Sequence, residues 1–168
     1  MSAANPYASF LGDLNAREVI SSTAHNLIHL ADRLGSGGFE QSYAPGKWTA
    51  RVILCHLADC EIAFGFRVRQ ALAEDNHVVQ TFDQDAWARP YGNASFHAQT
   101  ALQVFSDLRG WNLVLIDSLP PDSFGRRFRH PERGEHTLQT FIELIAGHDL
   151  NHLRQLETIA DNVGRSQA

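Results

Sequence analysis

The sequence predicts an all-α fold, a four-helix bundle formed as one domain over residues 1–168. Three observations lead there. Four segments repeat apolar residues at helical spacing, none sustains the two-residue alternation of a half-buried strand, and all four are long. At about 20 to 26 residues each they would run roughly 30 to 39 Å, counting 1.5 Å per residue. Rods of that length pack side by side in bundles.

The first helix is expected from about Asn15 to Leu34, with Ile20, Ala24, Leu27, Ala31 and Leu34 on one stripe and Gly35, Gly37 and Gly38 ending it. The second follows Pro45-Gly46 and runs from about Thr49 to Glu74. Thr49 suits an N-cap, and Trp48 before it can pack on Ile53 as a hydrophobic staple. Its inward stripe reads Val52, His56, Asp59, Ala63, Phe66 and Gln70. The third spans about Ser95 to Leu119, with Ala98, Leu102, Phe105, Ile116 and Leu119 inward, and Pro120-Pro121 stops it. The fourth spans about Thr137 to Asn162, closed by Gly164, and its stripe carries Leu138, Phe141, Ile145, His148, His152, Ile159 and Val163. Between the second and third helices, residues 75–94 could extend some 65 Å at roughly 3.3 Å each. That connection can cross the whole bundle, so the third helix can start at the same end as the second.

Composition narrows the function classes. A formal charge of −5 offers no cationic surface for phosphate contacts, so nucleic acid is not an expected partner. No stretch reads as a membrane span and residues 1–11 do not read as a signal peptide. Cys55 and Cys60, five apart in one helix, form no disulfide framework, which points to a reducing cytoplasm.

The nine histidines are the compositional oddity. His148 and His152, four apart, share a helix face and interrupt an apolar stripe, so their rings point inward. Buried without partners, neutral imidazoles cost a few kcal/mol each, so they need hydrogen bonds or a metal ion. His25 and His29 have the same spacing but lie off their helix's stripe, on a solvated flank, and His77, His97, His130 and His136 fall in or beside connections and read as surface residues. If the second and fourth helices pack antiparallel, His56 faces the His148–His152 pair and supplies a third ligand. Three protein ligands leave open positions, the pattern of a catalytic site. Cys55 and Cys60, turned about 40 to 100° from His56 on the helical wheel, read as badly placed to add a fourth.

Around that trio, Asp59 could orient His56 or receive a proton, and Gln155 could hydrogen-bond an imidazole. The plain alternative for Asp59 is a surface carboxylate or an ion pair with Arg109. Arg109 and Asn112 interrupt the apolar stripe of the third helix, marking an internal salt bridge or a polar substrate pocket. Arg67 carries the same ambiguity, and Trp87 packs or lids the site. Asp83 and Asp85 read as solvated loop acids, one of which could cap the open face.

Lys47 to Asp59, with a tryptophan eight residues before a histidine that Leu-Ala-Asp follows, resembles the signature of the DinB/YfiT superfamily. So does His148-Asp149-Leu150-Asn151-His152 with Gln155 after it, and Asp83 to Ala88 and His130-Pro131 are similar as well. The resemblance implies an up-down-down-up bundle with a long helix 2–helix 3 crossover, commonly a homodimer. It also implies a three-histidine site for a divalent metal, zinc or nickel first, iron or manganese after.

Three functions stay open. Relatives that use bacillithiol or mycothiol make thiol S-transfer or thiol-dependent isomerisation the leading expectation, with a low-molecular-weight thiol as co-substrate and Arg67, Arg109 or Arg154 meeting its carboxylates. A metal-dependent hydrolase is the alternative, with Asp59 or Asp149 as the base. A non-catalytic protein that binds metal or a small ligand in stress response is the third.

Overall fold

The computed structural model describes residues 5–93 and 95–167. Four long helices carry the fold: α2 (Ala16–Gly38), α3 (Ala50–Ala73), α5 (Ala98–Asp117) and α6 (Leu138–Gln167). Short helices α1 (Ala8–Leu11) and α4 (Gln84–Ala88) accompany them, with 3-10 turns at Arg89–Gly92 and Pro121–Gly125. A two-stranded antiparallel hairpin, β1 (Arg127–His130) and β2 (Gly134–Thr137), precedes α6.

Local chemistry sets the helix starts. The Asn15 side chain accepts from the Arg17 and Glu18 amides at the head of α2, and Thr49 Oγ1 accepts from the Val52 amide at the head of α3. Each satisfies amides that the first helical turn leaves without partners. At the other ends the glycines are weaker punctuation than expected. Gly35, at φ +59, breaks the geometry of α2, yet helix continues to Gly38, and α6 runs through Gly164 to Gln167.

Paired residues give the helix directions. Thr23 bonds Asp149 at 2.9 Å and Arg33 meets Asp161 at 2.5 Å, so α2 and α6 run parallel. Glu61 meets Arg109 and Arg69 meets Asn112, so α3 and α5 also run parallel. His56 faces His148 while Phe64 faces Phe141, which makes α3 antiparallel to α6. The order is up-down-down-up. Parallel α3 and α5 need the long crossover, which returns beside α3: Gln80 lies next to Arg67, Tyr91 next to Asp59 and Asn93 next to Arg51.

The helical stripes mostly fall where periodicity puts them, with one exception on α3. Phe66, expected inward, is 61% exposed, and the face that is buried in its second half carries Glu61, Phe64, Val68 and Ala71. Residues 50–58 are all buried, because the crossover and the loop before α3 cover what would otherwise be its outer side. An all-round apolar start has no single stripe to extrapolate from.

The apolar core forms two clusters. One gathers Leu27, Leu34, Ile53, Leu57, Phe105, Leu156 and Ile159, the other Ile20, Phe64, Val68, Ile116, Phe141 and Ile145. Between them lies a polar layer that holds Thr23, Cys60, Glu61, Arg109, Asn112, His148 and Asp149.

The hairpin was not expected from the sequence. Its pairing sets Phe128 opposite His136, both buried with rings stacked at 5.8 Å, and Gly134 at φ +82 turns the chain between the strands. Backbone bonds from Val79 to Arg129 and from Arg129 to His77 stitch the crossover onto it.

Candidate metal centre

His56 on α3 and His148 and His152 on α6 meet in the interior, each 2 to 6% exposed. His148 Nε2 lies 3.1 Å from His56 Nε2 and 3.1 Å from His152 Nε2. Two imidazoles on one tetrahedral ion, with bonds of about 2.0–2.1 Å, hold their nitrogens about 3.3–3.4 Å apart. The spacing is close to that. No carboxylate or backbone group among the described residues takes these Nε2 atoms; those of His56 and His148 face each other and Cys60, while that of His152 meets His148.

Neighbouring side chains fix the rings. Gln155 Oε1 lies 2.8 Å from His152 Nδ1 and accepts its proton, which leaves the His152 Nε2 lone pair directed at the cluster. Trp48 packs on His56 at 4.9 Å between ring centres, and Tyr7 meets the edge of His148 at 5.3 Å. Tyr7 can approach because residue 147 is glycine: a Cβ there would stand 2.6 Å from the Tyr7 carbonyl oxygen.

Burial sets the protonation. It pushes His56 down to about 3, aided by the neighbouring His148, and pushes His152 well below the ordinary histidine range. Those two are neutral imidazoles at neutral pH, the form a metal ion needs. His148 is opposed by burial too, but Cys60 and Asp149, whose Oδ1 is 4.0 Å from His148 Nδ1, raise it to about 9. A cation at the cluster would take the place of that proton.

Cys60 overturns an expectation. Its Sγ is 3.5 Å from His56 Nε2 and 4.0 Å from His148 Nε2, and the three donors form a compact cluster able to hold an ion. A 40° turn from His56 is small for residues one helical turn apart, and the thiol reaches the same point. For a tetrahedral ion, bonds of about 2.3 Å to sulfur and 2.05 Å to nitrogen set S···N near 3.6 Å. Cys55 is buried elsewhere, beside Ala58 and Tyr91.

The cluster opens on a cavity of about 440 Å³ that His56, Cys60, His148 and Tyr7 share with Arg67, Phe64, Phe82, Phe128, Arg133 and Phe141. A second recess of about 330 Å³ reaches His152 and Gln155 from the other side, past Lys47 and Asn151.

Four expected site residues lie away from the cluster. Asp59 accepts from the Tyr91 hydroxyl at 2.7 and 2.8 Å and faces the crossover rather than His56. Arg109, 1% exposed, takes neither the surface pair with Asp59 nor a place in the cavity; it bonds Glu61 at 2.7 Å and Asp149 at 2.6 Å. Asn112 bonds Glu61 Oε1 at 2.8 Å and accepts from Arg69, in the same closed network. Trp87 is 44% exposed and stacks on Phe82 outside the cavity wall. Of the candidate pocket residues Arg67 alone lines the cavity. His130 and His136, expected at the surface, also line it, because the hairpin turns them inward. His25 and His29 are exposed, as expected.

The sequence profile of the DinB superfamily matches residues 20–156, which includes all three histidines and the crossover. The chain belongs to the DinB superfamily. A relative from Oceanobacillus iheyensis, named as a candidate metal-dependent hydrolase, is 29% identical over 126 residues, 75% of this chain and 73% of its own. YfiT from Bacillus subtilis, named in the same way, is 23% identical over 150 residues, 89% of this chain and 84% of its own. The solved YfiT structure, described as an unusual four-helix bundle, superposes with a TM-score of 0.81 at 22% identity, covering 89% and 86% of the two chains. At that identity the likeness speaks for the shared fold.

Proposed function

We propose that this DinB-superfamily protein is a metal-dependent hydrolase whose divalent ion, zinc or nickel by preference, is held by His56, His148 and His152. The observation that carries the reading is the pair of 3.1 Å contacts by which His148 Nε2 joins His56 and His152, with His56 and His148 lining a cavity of small-molecule size. The names of the relatives favour hydrolysis over the thiol transfer that the sequence alone put first.

An ion on three imidazoles keeps open positions and, when bound, polarises a carbonyl and lowers the pKa of a bound water. The chain supplies the rest. Gln155 holds His152 in the ligating tautomer. Neither acid expected as the base is free, because Asp59 holds Tyr91 and Asp149 is bound by Arg109 and Thr23. His136, buried on the cavity wall and lowered by burial and by Arg133, is the neutral group placed to take a proton from the cavity. Cys60 stands on the cavity side of the cluster, where it competes with water or substrate for the open position.

The test is hydrolysis of an ester and amide panel by protein loaded with zinc, nickel or manganese, beside His148→Ala. Turnover that follows ion content and is lost in the variant supports the reading. No turnover, with one ion bound per chain and ion-dependent thermal stabilisation by low-molecular-weight thiols, would move the protein to thiol S-transfer. Indifference to both would leave a non-catalytic binding protein.

A further inference from the structure

Arg67 is a cavity-lining cation without an anion. The two most buried charged arginines each face carboxylates: Arg51 pairs with Glu40 at 2.6 Å, and Arg109 with Glu61 and Asp149. Arg67, half-buried, meets only the Gln80 carbonyl at 2.6 Å and the Phe82 ring at 5.4 Å. No carboxylate among the described residues forms an ion pair with it. The Gln80 bond takes up one of its donors, and the rest of the guanidinium stays accessible beside the cavity, where an anionic ligand could meet it in a charge-assisted pair. Burial lowers its pKa, Cys60 raises it and the nearby charge of Arg133 lowers it again. Two like charges therefore bear on the same cavity.

We propose that the cavity selects substrates carrying one carboxylate, which Arg67 receives with Arg133 at the rim, while the carbonyl to be cleaved lies at the histidines. This rests on the hydrolase reading for the reaction, though the anion site stands without it. Arg67 follows Cys60 by seven residues, two turns along α3 and about 10 Å of axial rise, so acid and carbonyl sit at opposite ends of one short molecule. Phe64, Phe82, Phe128 and Phe141 line the wall between, which suits an apolar spacer. The charge count sets the valence. Arg67 and Arg133 are balanced by Glu132 and Asp83, and Asp83 is turned to the amides of Asp85 and Ala86. His130 and His136 are both pushed down, so they add no charge. One negative charge is matched; a phosphate dianion is not.

Two probe pairs test this on the zinc-loaded protein. Mono-4-nitrophenyl glutarate should be hydrolysed with at least about tenfold higher kcat/KM than neutral 4-nitrophenyl valerate. Arg67→Gln should abolish that preference by raising KM for the anionic ester alone, and Arg67→Lys should keep part of it. Calorimetry with monomethyl glutarate against dimethyl glutarate reads binding without turnover. Binding of the monoacid should be lost in Arg67→Gln and kept in His148→Ala, since a carboxylate on the ion itself would show the reverse. If neither ester turns over while the monoacid binds in this Arg67-dependent way, the hydrolase reading fails and the anion site stands. The proposal is overturned by equal treatment of acid and neutral probes, by a preference that Arg67→Gln leaves intact, or by phenyl phosphate binding as well as the monoacid.

Discussion

Two polar groups lie side by side in the middle of the bundle, and they differ in completeness. Around Arg109, every guanidinium nitrogen has a partner: Glu61, Asp149 and the Ile20 carbonyl, with Asn112 and Thr23 completing the acids. Around His148, one residue before Asp149, imidazole Nε2 atoms and the Cys60 thiol meet with no other acceptor among the described residues. The first group is closed and joins all four long helices. The second is open toward a cavity. Polarity in a core therefore does not mark a site; unspent ligating capacity beside space does.

Breaking the closed group should have the largest effect. Arg109→Ala leaves Glu61 and Asp149 buried without their cation, and we expect a loss of about 3–5 kcal/mol in urea unfolding. Breaking the open group should spare the fold. His148→Ala should keep its helical circular dichroism while binding zinc at least about 100-fold more weakly by calorimetry. A subtler cut is Gln155→Ala, which frees the His152 tautomer and should cost about 10–100-fold in zinc affinity. Acid probes both groups in metal-stripped protein. The unfolded chain takes up a proton at His56 near pH 6.5, but the folded protein refuses it until about 3. Stability should therefore fall as pH drops from 6.5 toward 3, by about 1.4 kcal/mol per unit for each such histidine. Asp149, held down to about 2 against its burial by Arg109 and His148, keeps its contribution above pH 4 and loses it below. A stability that is flat from pH 6.5 to 4 would refute the neutral-imidazole assignment. The smallest change expected is in Cys60→Ser: ester turnover up a few-fold, zinc affinity down a few-fold, and loss of the near-ultraviolet sulfur-to-metal band in cobalt-loaded protein.

Much of this was legible in the residues. Period and length gave the four helices, Asn15 and Thr49 marked two starts within a residue, and the 20-residue connection allowed the parallel α3 and α5 that the family resemblance implied. The three histidines were legible because they interrupt apolar stripes. Arg109 and Asn112 were visible as anomalies, but whether such a pair closes on itself depends on acids from other helices, Glu61 and Asp149, which periodicity does not pair. Four-residue strands such as Arg-Phe-Arg-His are too short to show alternation, so the hairpin and the inward turn of His130 and His136 stayed hidden. Asp59 was misjudged for a related reason. Its partner Tyr91 arrives from the crossover, 32 residues away.

The helices that carry the histidines and Arg67 supply only one side of the cavity. The imidazoles stand on α3 and α6, while Val79 to Gln84 and the hairpin form the facing wall. Insertions or exchanges in that wall can retune the guest without disturbing the grip.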